Sequence, residues 1–138
     1  MKKIVLPGLL AGVLMLIASM LLSKIYNFVL PGLALEYENP ALFRPWSDPI
    51  MSLYFLYPFI LGVILAFIWD KTKDLIKDKK IVKRALKFAF YYWLVSSIPG
   101  MFITYSSFVV SLPMVISWSV SGFIQAFVAA IVLAKFNR

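Results

Sequence analysis

The strongest constraint on this chain is where its charges are missing. No Lys, Arg, Asp or Glu occurs from Ile4 to Ser23, from Ile50 to Trp69, or across the 47 residues from Phe88 to Ala134. A membrane-crossing helix needs about 20 apolar residues, so the first two runs can each span once and the third can span twice. Hydrocarbon offers no water to backbone N–H and C=O groups, which leaves the helix as the structure such runs adopt. The expectation is an all-α polytopic membrane protein built as a bundle of four transmembrane helices. Only 14% of the residues are charged, against about 25% in soluble domains. A soluble enzyme, a nucleic-acid-binding module and a disordered tail are all excluded.

The charges that remain are sorted by side. With a cytoplasmic N-terminus, twelve of the fourteen basic residues lie inside, leaving Lys24 and Arg44 outside. The six acids split three and three, so the inner side carries +9 and the outer side −1. That asymmetry is the positive-inside pattern and predicts an N-in/C-in topology. It also names a partner, the anionic lipid headgroups of the cytoplasmic face, and argues against nucleic acid as the reason for the formal charge of +8. The compartment expected is a bacterial or archaeal cytoplasmic membrane, crossed several times.

Two missing residue types narrow the chemistry. The chain has neither Cys nor His. Disulfides, thiolate nucleophiles and iron–sulfur clusters are therefore excluded, as are the usual haem ligand and the usual general base near neutral pH. No cofactor and no metal site is expected, and the balance leans away from an enzyme. Carboxylates are also missing from the spans, which disfavours coupled cation transport by this chain alone.

The whole chain reads as one membrane domain. The first span, about residues 4–30, follows Lys2 and Lys3 and is too long for a signal-peptide core, so it is expected to remain as a helix. Leu30-Pro31-Gly32 is expected to end it in a turn. An ordered, proline-rich outer loop then covers residues 31–48. Within it, Asn39-Pro40 and Asp48-Pro49 both read as a helix cap followed by proline in the first turn. The second span covers about residues 49–70. Asp70, Asp74 and Asp78 fall four apart, and Lys73 and Lys77 follow the first two by three residues, so the basic connection of residues 71–84 reads as two helical extensions meeting near Lys79-Lys80. The third helix begins near Ile81, with its span at about 85–105 and Pro99-Gly100 in its outer half. The fourth covers about 112–135, with Ser111 before it and Pro113 in its first turn.

Three groups of residues can carry function. Glu36, Glu38, Arg44 and Asp48 sit within thirteen residues of the outer loop, among Tyr37, Phe43 and Trp46. They read either as a recognition patch at the membrane face or as a staple in which Arg44 pairs with one acid and Trp46 anchors the interface. Ser117, Ser121 and Gln125 recur every four residues on the fourth helix. With Ser96, Ser97, Thr104, Tyr105, Ser106 and Ser107 around the Pro99 bend, they read either as a polar cavity or as ordinary interhelical hydrogen bonding, and Gln125 requires a partner. Small residues form the third group: Gly8 and Gly12, and a ridge of Gly122, Ala126, Ala130 and Ala134, let backbones approach within one bundle or between protomers.

Two functions follow. One is a non-enzymatic membrane protein acting as accessory subunit or scaffold, with a membrane-protein partner or in a homo-oligomer. The other is a small-molecule or lipid-handling protein, either a permease-like homo-oligomer or an outer-face lipid-active enzyme. Its site would lie between the loop charges and the polar face of the third and fourth helices.

Overall fold

Proline and tertiary hydrogen bonds decide where the helices break. The computed structural model describes residues 2–137, and among them every regular element is helical. Helix α1 (Lys2–Val29) ends ahead of Pro31, which cannot continue the hydrogen-bond ladder. A second short helix, α2 (Pro31–Tyr37), starts at once, so the loop expected from residue 31 begins with a helix instead of a turn. The reason is local: proline's fixed φ suits a first turn, where its missing N–H would have no intrahelical partner anyway. Gly32 has no positive φ and turns nothing.

Beyond α2 the chain forms a single helical turn at Asn39, whose side chain accepts from the Ala41 N–H at 3.0 Å while its carbonyl accepts from Phe43. Asp48 caps the next element by accepting from the Ile50 N–H at 2.9 Å. A 3₁₀ turn (Pro49–Ser52) then leads into α3 (Leu53–Thr72). We refer to residues 31–48 as the cap.

The third helix is broken in its middle. It comprises α4 (Ile81–Tyr92), a π-helical turn at Trp93–Ser97, and α5 (Ile98–Ser107). Pro99 explains the π turn, because its ring would crowd the carbonyl four residues back in a regular helix. Widening the backbone lets the Ile98 N–H reach the carbonyl of Trp93, five residues back, and the ladder survives. Helix α6 (Leu112–Phe136) follows, with Ser111 accepting from the Met114 N–H as its cap. Among the described residues four helical stretches are long and apolar enough to cross a membrane: Lys3–Val29, Pro49–Thr72, Ile81–Ser107 and Leu112–Phe136.

The basic connection departs from the expected helical extensions. Helix α3 stops at Thr72 and α4 starts at Ile81, so Asp74 and Asp78 do not continue the face of Asp70. Arg84 supplies the cause. Its guanidinium donates to the carbonyls of Lys73 (3.1 Å) and Ile76 (3.0 Å), groups that a longer α3 would have used internally. Asp70 pairs with Lys73 at 3.4 Å as expected, but Asp78 pairs across the connection with Lys87 at 3.2 Å.

Helix α6 lies at the centre, touching α1, α3, α4 and α5, while α1 packs most closely on α3. Glycine permits that closeness. A Cβ on Gly8 would come within 2.7 Å of the Val63 Cα, one on Gly12 within 2.8 Å of the Phe59 Cα, and one on Gly62 would strike the Gly8 carbonyl oxygen. The Gly8/Gly12 pair is thus a contact within the chain. On α6, Gly122 faces Ser97 of the π turn, and Ala126, Ala130 and Ala134 are fully buried.

The interior is asymmetric along the bundle. Met15, Leu65, Trp69, Phe88, Ala130 and Leu133 belong to one apolar core, which lies toward the basic connection. Toward the cap that core gives way to polar contacts beside the separately buried Leu33, Met114 and Val115, and α5 buries no residue.

Candidate functional site

The polar residues of the cap half form a seam between α6 and the α1–α2 segment. Gln125 donates from Nε2 to the Ser19 hydroxyl at 2.9 Å, and Ser19 donates onward to the Met15 carbonyl at 2.9 Å. One turn nearer the cap, the Ser121 hydroxyl donates to Tyr26 at 3.3 Å. The Trp118 indole then donates to the Tyr37 hydroxyl at 2.5 Å, and Ser111 to the Glu36 carboxylate at 2.8 Å. Phe43 closes an aromatic triangle with Tyr37 (5.1 Å) and Trp118 (6.2 Å). Burial pushes the Tyr37 phenol above its ordinary 10.0, against the opposing effect of the Trp118 N–H, so it stays a neutral acceptor.

The stripe of Ser117, Ser121 and Gln125 needs correction. Residues four apart drift by about 40° per step around a helix of 3.6 residues per turn. Ser117 falls off the seam, is buried, and donates to the Met114 carbonyl of its own helix at 2.7 Å. Trp118 takes its place. The spacing 111, 118, 121, 125 carries that signal, and reading only hydroxyls and amides hides the indole.

The cap charges do not converge. Arg44 and Asp48 form an exposed pair at 2.9 Å, four residues apart. The Ile50 N–H and then Arg44 hold the Asp48 carboxyl below its ordinary 3.8. Glu36 turns to Ser111, and Glu38 is exposed. Trp46 packs edge-on against Tyr54 at 5.7 Å and beside Phe55 at 6.2 Å, tying the cap to the start of α3. Around Pro99, Thr104 donates to the Gly100 carbonyl at 2.8 Å and Ser106 to the Ile103 carbonyl at 3.0 Å, so both hydroxyls serve their own helix. Among the described residues no group of three His, Cys, Asp or Glu side chains could hold a metal ion.

A second polar cluster, which sequence reasoning missed, closes the basic end. The Trp69 indole donates to the Asn137 carbonyl at 2.7 Å. Lys73 donates to Asn137 Oδ1 at 2.7 Å, and Asn137 Nδ2 donates to Asp70 at 3.1 Å. Arg84 stacks over the Trp69 ring at 5.1 Å. Only Asp70 and Lys73, three apart, were visible as a pair. Asn137 has no local signal, because its partners are 64 to 68 residues away.

Among the described residues two open cavities stand out. One, of 480 Å³, lies in the basic connection between Lys73, Lys77, Asp78 and Arg84. The other, of 260 Å³, lies between α1, the cap and the start of α3. Neither joins the cap acids to the Pro99 bend. In comparison with known proteins, the chain matches no family model, no curated protein and no solved structure.

Proposed function

We propose that this chain is a small, non-enzymatic integral membrane protein that acts as an accessory subunit or scaffold. One observation carries the reading. Gln125 and Ser19, and Ser121 and Tyr26, are occupied by one another, and among the described residues no buried side-chain N or O lacks a hydrogen-bond partner. The ordered cap is then the surface on offer, with Leu35 at 71% and Trp46 at 66% exposure. Its partner is another membrane protein or a second copy of the chain. Charge asymmetry supports an N-in/C-in orientation in a bacterial or archaeal cytoplasmic membrane, with the basic end against anionic headgroups and the cap outside.

A photo-crosslinking side chain at position 35 tests this in native membranes. The expected result is an adduct of one defined polypeptide mass. The same probe at Ile64, an exposed position within the second span, is expected to label lipid only. Lipid adducts alone from both positions would contradict the scaffold role. A second reading, lipid or small-molecule handling, draws its support from the 260 Å³ cavity beside the cap.

A further inference from the structure

The 260 Å³ cavity holds an unusual combination of groups. Trp46, Tyr54 and Phe55 form an aromatic wall on the cap and α3 side, and Met20, Ser23 and Lys24 face it from α1. Lys24 is the only cation of α1 beyond its first two residues. It lies five residues before the end of the helix at Val29, which is about 7.5 Å along the axis. An ammonium that follows directly on the charge-free run from Ile4 to Ser23 requires a partner or a path to the headgroups. Among the described residues no carboxylate lies within 4.0 Å of it, since the ion pairs are Arg44–Asp48, Lys73–Asp70 and Lys87–Asp78. Neither Lys24 nor Ser23 makes a side-chain hydrogen bond with another described residue.

We propose that this cavity binds the phosphate of an anionic phospholipid, with Lys24 as its counter-ion and the Ser23 hydroxyl as a further donor. This goes beyond the scaffold reading and does not depend on it. Charge complementarity selects the anion, and depth selects its source. The charge-free run from Ile4 to Ser23 alone covers about 30 Å, the thickness of a hydrocarbon core, so Lys24 stands at its outer boundary, where lipid phosphates lie with their acyl chains against the apolar flank of α1. A lysine stem is long and flexible enough to cover apolar surface while its ammonium stays at the polar boundary. The aromatic wall alone would favour a choline headgroup through cation–π attraction. Lys24 repels such a headgroup, so the site selects phosphatidylglycerol-like lipids over phosphatidylcholine.

The full chain in phosphatidylcholine vesicles, with brominated lipid added in increasing amounts, provides the test. The Trp46 signal is isolated as the difference between the native chain and W46F. Half-quenching is expected at about fivefold lower mole fraction of brominated phosphatidylglycerol than of brominated phosphatidylcholine, the factor for one basic residue near the surface. K24R is expected to keep that preference and K24Q to lose it, with helix content unchanged in both. The exposed side chain makes K24Q a mild substitution. Equal quenching by the two lipids in the native chain, or a preference that persists in K24Q, overturns the assignment. So does displacement of the brominated phosphatidylglycerol by inorganic phosphate, which would make the ligand a free anion.

Discussion

The indole N–H of Trp69 donates to the backbone carbonyl of Asn137 at 2.7 Å, joining the end of α3 to the end of α6 across 68 residues of sequence. Trp69 is fully buried, and Arg84 and Phe88 cover its ring. Substituting W69F removes the donor and leaves a buried carbonyl unpaired while reducing side-chain volume. The expected cost is about 2 kcal/mol, read as a lower midpoint in detergent-mixture unfolding. N137A keeps the carbonyl and loses only the contacts to Asp70 and Lys73, so its midpoint should fall less than that of W69F.

Glycine contacts give a second, internally controlled expectation. A methyl at Gly62 would meet backbone atoms of Gly8 and Gly12, which cannot rotate away. G62A should therefore lower stability by about 1–3 kcal/mol, the usual range for overpacking. Gly32 and Gly100 have open space where a Cβ would stand. G32A and G100A should be neutral or stabilising, by up to about 1 kcal/mol from helix propensity. Equal losses at Gly62 and Gly100 in the same unfolding assay would contradict the α1–α3 approach.

Acid should loosen the cap through Asp48. The Ile50 N–H and Arg44 depress its carboxyl below the ordinary 3.8, so the folded cap binds that proton less readily than the unfolded chain does. The stabilisation is complete above 3.8 and disappears as pH falls through the depressed value. Trp46 emission should shift over that acidic window in the native chain. D48N, which keeps a capping oxygen but loses the charge, should lack that component of the shift.

The seam predicts a measurable coupling between Gln125 and Ser19. A double-mutant cycle with Q125A and S19A should return about 0.6 kcal/mol, the average for hydrogen bonds between membrane helices. A value near zero would mean that the two side chains do not meet in the bilayer.

Much of the fold was legible because the signals were local. Charge-free runs mark the spans, and the caps at Asn39, Asp48 and Ser111 each precede proline within two residues and act within their own turn. What escaped reading depends on tertiary approach. No Gly or Pro interrupts residues 73–80, so a continuous helix is the natural expectation, and its end is explained by Arg84 and Lys87, which take the carbonyls of Lys73, Ile76 and Lys77. Ser117 and Trp118 are adjacent, and which of them joins the seam is set by how α6 rotates against α1. The Glu36–Ser111 bond, 75 residues apart, turned an apparent loop charge into a tie between helices.

The most direct measurement of the central claim is native mass spectrometry of the chain released from its own membrane in polymer-bounded lipid discs, without detergent. Because the Gln125–Ser19 and Ser121–Tyr26 contacts serve the fold and the cap is left exposed, the account predicts a particle holding a second polypeptide, a copy of this chain or a distinct membrane protein, in fixed ratio. A lone chain carrying only lipid, at native expression level, would contradict it.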